Sequence, residues 1–217
     1  MELSFSMFAA WRRGPAEYKL RFVDGRRPPL DEPSSLGISL HRALERYHRA
    51  GEPGWEALAQ AYEAEFLRAG YPDEEARERW RRKGLRILKA YQRGESSRRT
   101  KILGNEREFV FPLGRHTVRG MVDRIDLHPD GRVELIDYKT RLGLGAADPI
   151  APFEEAWLQL RFYALGVKEC FAYEPALLTI HYLAAGRLDT RAYDPSGEEE
   201  LKAEILRVAD AIENTEK

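Results

Sequence analysis

The stretch that decides the fold of this chain is residues 120–140, GMVDRIDLHPDGRVELIDYKT. Two short apolar segments flank a Pro-Asp-Gly sequence at 129–131. Because glycine tolerates a positive φ and proline presets its own φ, this sequence predicts a tight turn between two strands. Side chains alternate between the faces of a strand, so Asp137 and Lys139 project from one face of the second strand. The stretch therefore predicts a β-hairpin that carries a carboxylate and an ammonium group together.

The first strand of this hairpin adds a second carboxylate, Asp123. Two carboxylates and a lysine at the end of an apolar sheet are typical of a site that binds a divalent cation and contains a base that activates water. The pair formed by Asp137 and Lys139 fits equally well with an ordinary surface ion pair on a half-buried strand. Spacing alone leaves both interpretations open.

Length and composition limit the class of protein. The 217 residues suit one domain with a sizeable core, and 43% of them are hydrophobic. With 35 basic and 36 acidic side chains, a nucleic-acid-binding surface has to come from local clustering rather than net charge. The single cysteine, Cys170, excludes an internal disulfide. No apolar run approaches the roughly 20 residues of a membrane span and no basic leader is visible, so we expect a cytoplasmic protein.

Hydrophobic periodicity predicts helices in the first half of the chain and strands from about residue 106 onward. The predicted helices cover about 3–13, 36–50, 55–69, 73–93, 153–166 and 196–213. We expect Ser4 or Ser6 to cap the first helix and Ser34 or Ser35 to cap the second. The predicted strands cover about 106–112, 116–126, 132–139, 177–183 and 188–193. The Gly- and Pro-rich residues 141–152 are predicted to form a loop.

Three polar residues on predicted helices, His41, Gln159 and Tyr163, are candidates for either a structural or a functional role. His41 lies at the edge of an apolar stripe, next to charged residues of the solvent face. Gln159 and Tyr163 are four residues apart and are therefore neighbours on a helix surface. From the residues alone, a histidine at such an edge is more typical of a hydrogen-bonded structural side chain, and a Gln/Tyr pair is common.

Basic residues concentrate in and after the helix predicted at 73–93. Between positions 77 and 101 there are eleven basic residues and two acidic ones. A solvated helix face usually mixes both signs, so this excess favours a track for nucleic-acid phosphates. The residues predicted to bind nucleic acid are Arg81, Arg82, Lys83, Arg86 and Lys89.

Four motifs occur in an order that resembles the RecB-like branch of the PD-(D/E)XK nuclease superfamily. They are GISLHRALE at 37–45, GMVDRID at 120–126, LIDYKT at 135–140 and LQLRFYAL at 158–165. The opening segment also resembles the family pattern, but Gly14 stands where iron-sulfur members carry a cysteine. No cysteine set is left to complete such a cluster, so no iron-sulfur cluster is expected.

The resemblance implies an α/β fold with a restriction-endonuclease-like core, in which a central mixed β-sheet is flanked by helices and preceded by an N-terminal helical segment. It also implies a single nuclease domain over residues 1–217. Within that domain, residues 51–101 are predicted to be a helical insertion.

The resemblance further implies a site for Mg²⁺ or Mn²⁺. Its metal ligands would be His41, Asp123, Asp137 and the backbone carbonyl of Tyr138. The catalytic residues would be Asp123, Asp137, Lys139, Gln159 and Tyr163. Glu106, near the start of the first meander strand, is a further polar group that is expected to face this cleft.

The activity implied is that of a metal-dependent deoxyribonuclease acting on single-stranded DNA or DNA ends, in repair, recombination or defence. An exonuclease is favoured over an endonuclease. The expected partners are DNA and a separate helicase or repair complex, since the sequence contains no GxxxxGK[ST] loop of its own. No membrane partner is expected. Two alternatives stay open, a catalytically silent DNA-binding or scaffolding subunit of the same fold and a CRISPR-adaptation-type nuclease.

Overall fold

The structure is a computed structural model that describes residues 1–26, 28–140 and 151–215. The helices are α1 (Phe5–Arg13), α2 (Pro15–Tyr18, continued by a π-helix Lys19–Val23), α3 (Glu32–Ala50), α4 (Trp55–Glu65), α5 (Glu74–Glu95), α6 (Ala151–Phe171) and α7 (Glu198–Thr215). The strands are β1 (Glu2–Ser4), β2 (Lys101–Leu113), β3 (His116–Leu127), β4 (Val133–Lys139), β5 (Pro175–Tyr182) and β6 (Arg187–Ala192). Short 3₁₀ turns lie at Leu183–Ala185 and Pro195–Gly197.

Within the described residues, six strands form one mixed sheet in the order β1-β3-β4-β5-β6, and β2 also pairs with β3. Strands β2, β3 and β4 form an antiparallel meander. Strand β4 then pairs in parallel with β5, which requires the crossover helix α6 between them. The predicted α/β architecture, a mixed sheet flanked by helices, is confirmed.

Two hydrophobic clusters cover the two faces of the sheet. Helices α1, α6 and α7 pack on one face, where they meet Leu135 and Ile180. Helices α3, α4 and α5 pack on the other face, where they meet Ile136 and Tyr138. Because successive residues of β4 point to opposite faces, nearly all of this strand is buried. The two acids of this strand are buried as well, and both have cationic partners, Arg98 for Glu134 and Lys139 for Asp137.

The turn between β3 and β4 forms as predicted. Gly131 has φ +87°, a value that favours glycine. The N–H of His128 donates to the carbonyl of Arg132 over 2.9 Å and closes the hairpin. The cap of α1 is Ser4, whose hydroxyl accepts from the N–H of Met7. The cap of α3, however, is Asp31 rather than a serine, because its carboxylate accepts from the N–H of Ser34 over 2.9 Å.

The N-terminal segment differs from the prediction. Residues 2–4 form strand β1, parallel to residues 117–119 of β3, and the first helix begins only at Phe5. Three residues are too few to show an alternating pattern, so a partner more than a hundred positions away decides their conformation. Most of the loop predicted at 141–152 lies outside the described residues, while 151 and 152 begin α6. In the part of the chain that is described, no helix combines the length and apolar character needed to cross a bilayer.

Candidate active site

The candidate site lies where β3 and β4 separate. These strands pair from Leu127 and Val133 as far as Arg124 and Ile136. Beyond that point β4 stays paired with β5 through Lys139, whereas the first part of β3 pairs with β1 instead. The separation leaves a gap between Asp123 on β3 and the last residues of β4. Polar backbone groups that no longer pair across a sheet need other partners.

Side chains of the predicted site supply those partners. The N–H of Tyr138 donates to Oδ2 of Asp123 over 2.7 Å. The carbonyl oxygen of Tyr138 lies 2.9 Å from Nε2 of His41 on α3, and Nδ1 of the same ring lies 3.6 Å from Oδ2 of Asp123. Helix α3 therefore contributes its histidine directly to the gap between the strands. Close approach is possible because Gly37 has no side chain, since a Cβ there would come within 2.9 Å of Oγ1 of Thr140.

A third carboxylate, that of Glu106, joins this group. Donor atoms of His41, Glu106 and Asp123 all lie within 4.8 Å of one another. In the pairing of β2 with β3, Asn105 is opposite Arg124 and Arg107 is opposite Val122, which places Glu106 opposite Asp123.

The conformation of Glu106 is unusual as well as its position. Its φ is +45°, a strained value for a residue other than glycine. Two carboxylates directly across a sheet also repel each other. Both unfavourable features are consistent with a site that a cation would stabilise.

Burial and like charges perturb the acids of this site. Burial raises the pKa of Asp123 to about 6, and although the His41 charge lowers it, Asp137 raises it again. Burial and then the charge of Asp123 raise the pKa of Glu106 to about 8. Buried acids with raised pKa values bind a divalent cation in exchange for protons. Carboxylate and carbonyl oxygens suit Mg²⁺, and one imidazole adds tolerance for Mn²⁺, so the residues fit the predicted metal.

Asp137 occupies a separate part of the site, with Lys139. Its Oδ2 lies 2.8 Å from Nζ of Lys139, and it is not a member of the group formed by His41, Glu106 and Asp123. Burial is the largest influence on the pKa of Lys139 and lowers it, but the charge and hydrogen bond of Asp137, together with the charges of Asp123 and Glu155, outweigh burial, so the net shift is upward. The lysine is therefore held as a cation between the carboxylates and helix α6.

Helix α6 positions Lys139 from the other side. Oε1 of Gln159 accepts from Nζ of Lys139 over 2.8 Å, and Nε2 of Gln159 donates to the hydroxyl of Tyr163 over 2.7 Å. Burial raises the pKa of Tyr163 well above its usual range, so its hydroxyl stays protonated. The structure thus links Tyr163, Gln159, Lys139 and Asp137 in one chain of contacts.

The five basic residues predicted to bind nucleic acid lie on α5, and four of them are exposed. Arg81 is half-buried and pairs with Glu78 over 2.7 Å and with Glu63. Nζ of Lys83 lies 4.2 Å from the ring centre of Trp80. One member of the basic excess, Arg98, belongs to a buried ion-pair network instead, because it contacts Asp126 and Glu134. Binding of nucleic acid by α5 stays a prediction.

Sequence reasoning identified His41, Asp123, Lys139 and the Gln/Tyr pair, and the structure brings all of them to one gap. The sequence analysis treated Glu106 only as a further polar group, because the strained φ of this residue cannot be recognised from a single sequence. Glu106 lies in the polar run GNERE at 104–108, where no periodic pattern distinguishes it from its neighbours.

A family model described as the PD-(D/E)XK nuclease superfamily matches residues 2–217 of the chain. No curated protein matches it in sequence. Among solved structures, that of a candidate exonuclease from Eubacterium rectale superposes with a TM-score of 0.57 at 10% sequence identity, over 96% of this chain and 80% of that chain. At that identity the likeness shows the fold alone, and it agrees with a restriction-endonuclease-like arrangement. A second structure, of the protein SSO0001, gives a TM-score of 0.38 at 16% identity over 80% of this chain and 73% of that one.

Proposed function

This chain belongs to the PD-(D/E)XK nuclease superfamily, and from that premise we propose that it is a metal-dependent deoxyribonuclease of the RecB-like branch, acting on single-stranded DNA or DNA ends. The observation that carries the proposal is the gap between β3 and β4. There His41, Asp123, the Tyr138 carbonyl and Lys139 meet although they come from separate elements of the fold.

The proposed metal ligands are His41, Glu106, Asp123 and the carbonyl of Tyr138, with Asp137 facing Lys139 beside them. A Mg²⁺ or Mn²⁺ ion bound there would neutralise phosphate charge and lower the pKa of a water molecule from 15.7 toward roughly 7. The protein positions the ligands before a cation arrives, because the Tyr138 N–H and the His41 ring already hold the Asp123 carboxylate.

Lys139 is the proposed catalytic cation. Asp137 holds its ammonium group in the charged form, and Gln159 fixes its direction. In this position the ammonium can orient water and balance the charge that develops on the phosphate. Gln159 and Tyr163 act as positioning residues, since they reach the reacting groups through Lys139.

The test is cleavage of end-labelled single- and double-stranded DNA in the presence of Mg²⁺, Mn²⁺ or a chelator. We expect the wild type to cleave only with a metal ion. Lys139→Ala should still bind DNA but lose cleavage by a factor of about 10² or more, a typical loss for a preorganised charge in an active site. The matched control is Lys202→Ala on α7, where the lysine pairs with Glu199 and Glu169 outside the site.

Retained cleavage in Lys139→Ala would show that this lysine is not catalytic. If the wild type binds DNA but cleaves none with either metal, the chain is a silent DNA-binding subunit and the nuclease proposal is wrong.

Action from DNA ends is the finer part of the proposal, and the exonuclease name of the E. rectale protein supports it only by analogy of fold. We expect a linear single strand to be degraded to short products while a covalently closed circular single strand of the same sequence resists. Cleavage of the circle at the same rate would identify an endonuclease instead.

A further inference from the structure

Helix α3 carries three arginines beyond His41, beside an open depression of about 470 Å³. Arg42, Arg46 and Arg49 are all exposed. The residues that line the depression are Arg42, Glu45, Arg46, Arg49, Ala50 and Glu65.

The three arginines share one side of the helix. Arg46 is four residues after Arg42, and Arg49 is seven residues after it, so all three project in similar directions. With a rise of about 1.5 Å per residue, the row extends roughly 12 Å along the axis from His41 to Arg49. A row of guanidinium groups leading away from a metal ligand matches the path of a phosphodiester backbone, because arginine forms bidentate contacts with phosphate.

Helix α3 places the depression next to the candidate metal ligands. Arg42 follows His41 directly and Glu45 lies one turn after it, and the same helix contacts strand β2, which carries Glu106. A strand that follows the arginines toward the start of α3 therefore leads to His41.

The arginines are available for a ligand. In the described part of the chain, Arg42 has no carboxylate within ion-pair distance. Arg46 pairs with Glu65 over 3.1 Å and Arg49 pairs with Glu45, but the two arginine side chains are 59% and 74% exposed. Exposed ion pairs of this kind are weak, so a phosphate can replace the carboxylates.

We propose that Arg42, Arg46 and Arg49 bind consecutive phosphates of the DNA strand next to the scissile bond, so that this strand runs along α3. The inference rests on the proposed function, which it extends by defining where the substrate backbone lies. It adds a contact surface that differs from the basic row on α5.

The test is binding of a labelled single-stranded oligonucleotide, measured by fluorescence anisotropy over a range of salt concentrations. All proteins carry Lys139→Ala and contain Mg²⁺, so that the probe stays intact. The triple variant Arg42→Gln/Arg46→Gln/Arg49→Gln should bind at least 10-fold more weakly at low salt. Its slope of log K against log salt should fall by about 2, because each lost phosphate contact on a single strand contributes about 0.7.

The matched control removes the same charge elsewhere. Arg115, Arg132 and Arg207 are exposed and lie in the β2–β3 turn, the β3–β4 turn and α7. The triple variant Arg115→Gln/Arg132→Gln/Arg207→Gln should keep the slope of the protein that carries Lys139→Ala alone. Equal slopes in the two triple variants would overturn the inference, since the effect would then follow net charge rather than position.

A second variant tests the same surface in the opposite direction. Glu65→Gln removes the carboxylate that competes for Arg46, so it should strengthen binding of the oligonucleotide about twofold or more. Weakened or unchanged binding would contradict a phosphate contact at Arg46.

Failure of the inference can be told apart from failure of the proposed function. If DNA is cleaved by the wild type and bound with an unchanged salt slope by the α3 variant, only the inference is wrong. If the wild type neither binds nor cleaves DNA, both are wrong. Unchanged melting temperatures of the exposed arginine variants would show that any loss of binding is not a loss of folding.

Discussion

Arg124 shows how one residue of a motif can be structural while its neighbour is part of the site. Its side chain is 1% exposed on the α5 face of the sheet, one position after Asp123. The guanidinium donates to Asp126 over 2.6 Å and to the Tyr91 hydroxyl over 3.0 Å, and Glu95 accepts a further bond. Asp123 makes none of these contacts and instead accepts from the N–H of Tyr138 and lies beside His41.

Replacement of Arg124 tests the structural role. Arg124→Met removes the guanidinium group that pairs with Asp126 and Glu95 and leaves their carboxylate charges without it. We therefore expect the free energy of unfolding to fall by about 3–5 kcal/mol. Arg132→Met is the matched control, because that arginine pairs with Asp130 on the surface, where both side chains are 53% exposed. Its loss should amount to less than about 1 kcal/mol. Urea denaturation measures both, and similar midpoints for the two variants would contradict a stabilising network.

At the scale of elements, two glycines set the distance between helix α6 and the sheet. The ring of Phe109 on β2 lies between Gly120 on β3 and Gly166 on α6, and a Cβ at either glycine would overlap that ring. Tyr163 packs on the same ring with a centroid separation of 5.7 Å. The position of Gln159 and Tyr163 over Lys139 therefore depends on a contact that lies away from the reacting groups.

Gly166→Ala should disturb that contact. The added methyl group forces α6 or Phe109 to move, which we expect to lower the free energy of unfolding by about 1–3 kcal/mol and to reduce the rate of DNA cleavage. Gly94→Ala on α5 is the control, because a Cβ there meets no atom within 4 Å. That change should stabilise the protein by about 0.4–1 kcal/mol without altering cleavage. A Gly166→Ala enzyme as stable and active as the wild type would show that α6 is not held at this distance.

Elements with a strong local pattern were predictable from sequence, and elements decided by distant partners were not. The β3–β4 hairpin and helix α5 follow from turn chemistry and periodicity, which are local. Strand β1 exists because of its pairing with β3, and the sequence gives no periodic signal for it. The motif residues could be named through a resemblance, but the separation of β3 from β4 and the strained φ of Glu106 are products of the assembled sheet.

At the scale of the whole molecule, the candidate metal site joins parts of the chain that are far apart in sequence. His41 comes from the helices on one face, and Asp123 and Glu106 come from the meander. Close carboxylates without a cation destabilise the folded state through repulsion and burial, which also raise their pKa values. A ligand that binds only the folded state shifts the unfolding equilibrium in favour of folding.

Metal binding should therefore stabilise the entire fold. With Mn²⁺ at 100 times its dissociation constant, the expected gain in the free energy of unfolding is about 2.7 kcal/mol, which thermal melting detects as a higher midpoint. In Asp123→Asn the gain should largely disappear, because the carboxylate nearest to both His41 and the Tyr138 N–H is lost. The control is Asp130→Asn in the β3–β4 turn, where the exposed carboxylate pairs with Arg132 and lies outside the proposed site. If Asp123→Asn were stabilised by Mn²⁺ as much as the control, the ion would be binding elsewhere, and the gap between β3 and β4 would lose its role as the metal centre.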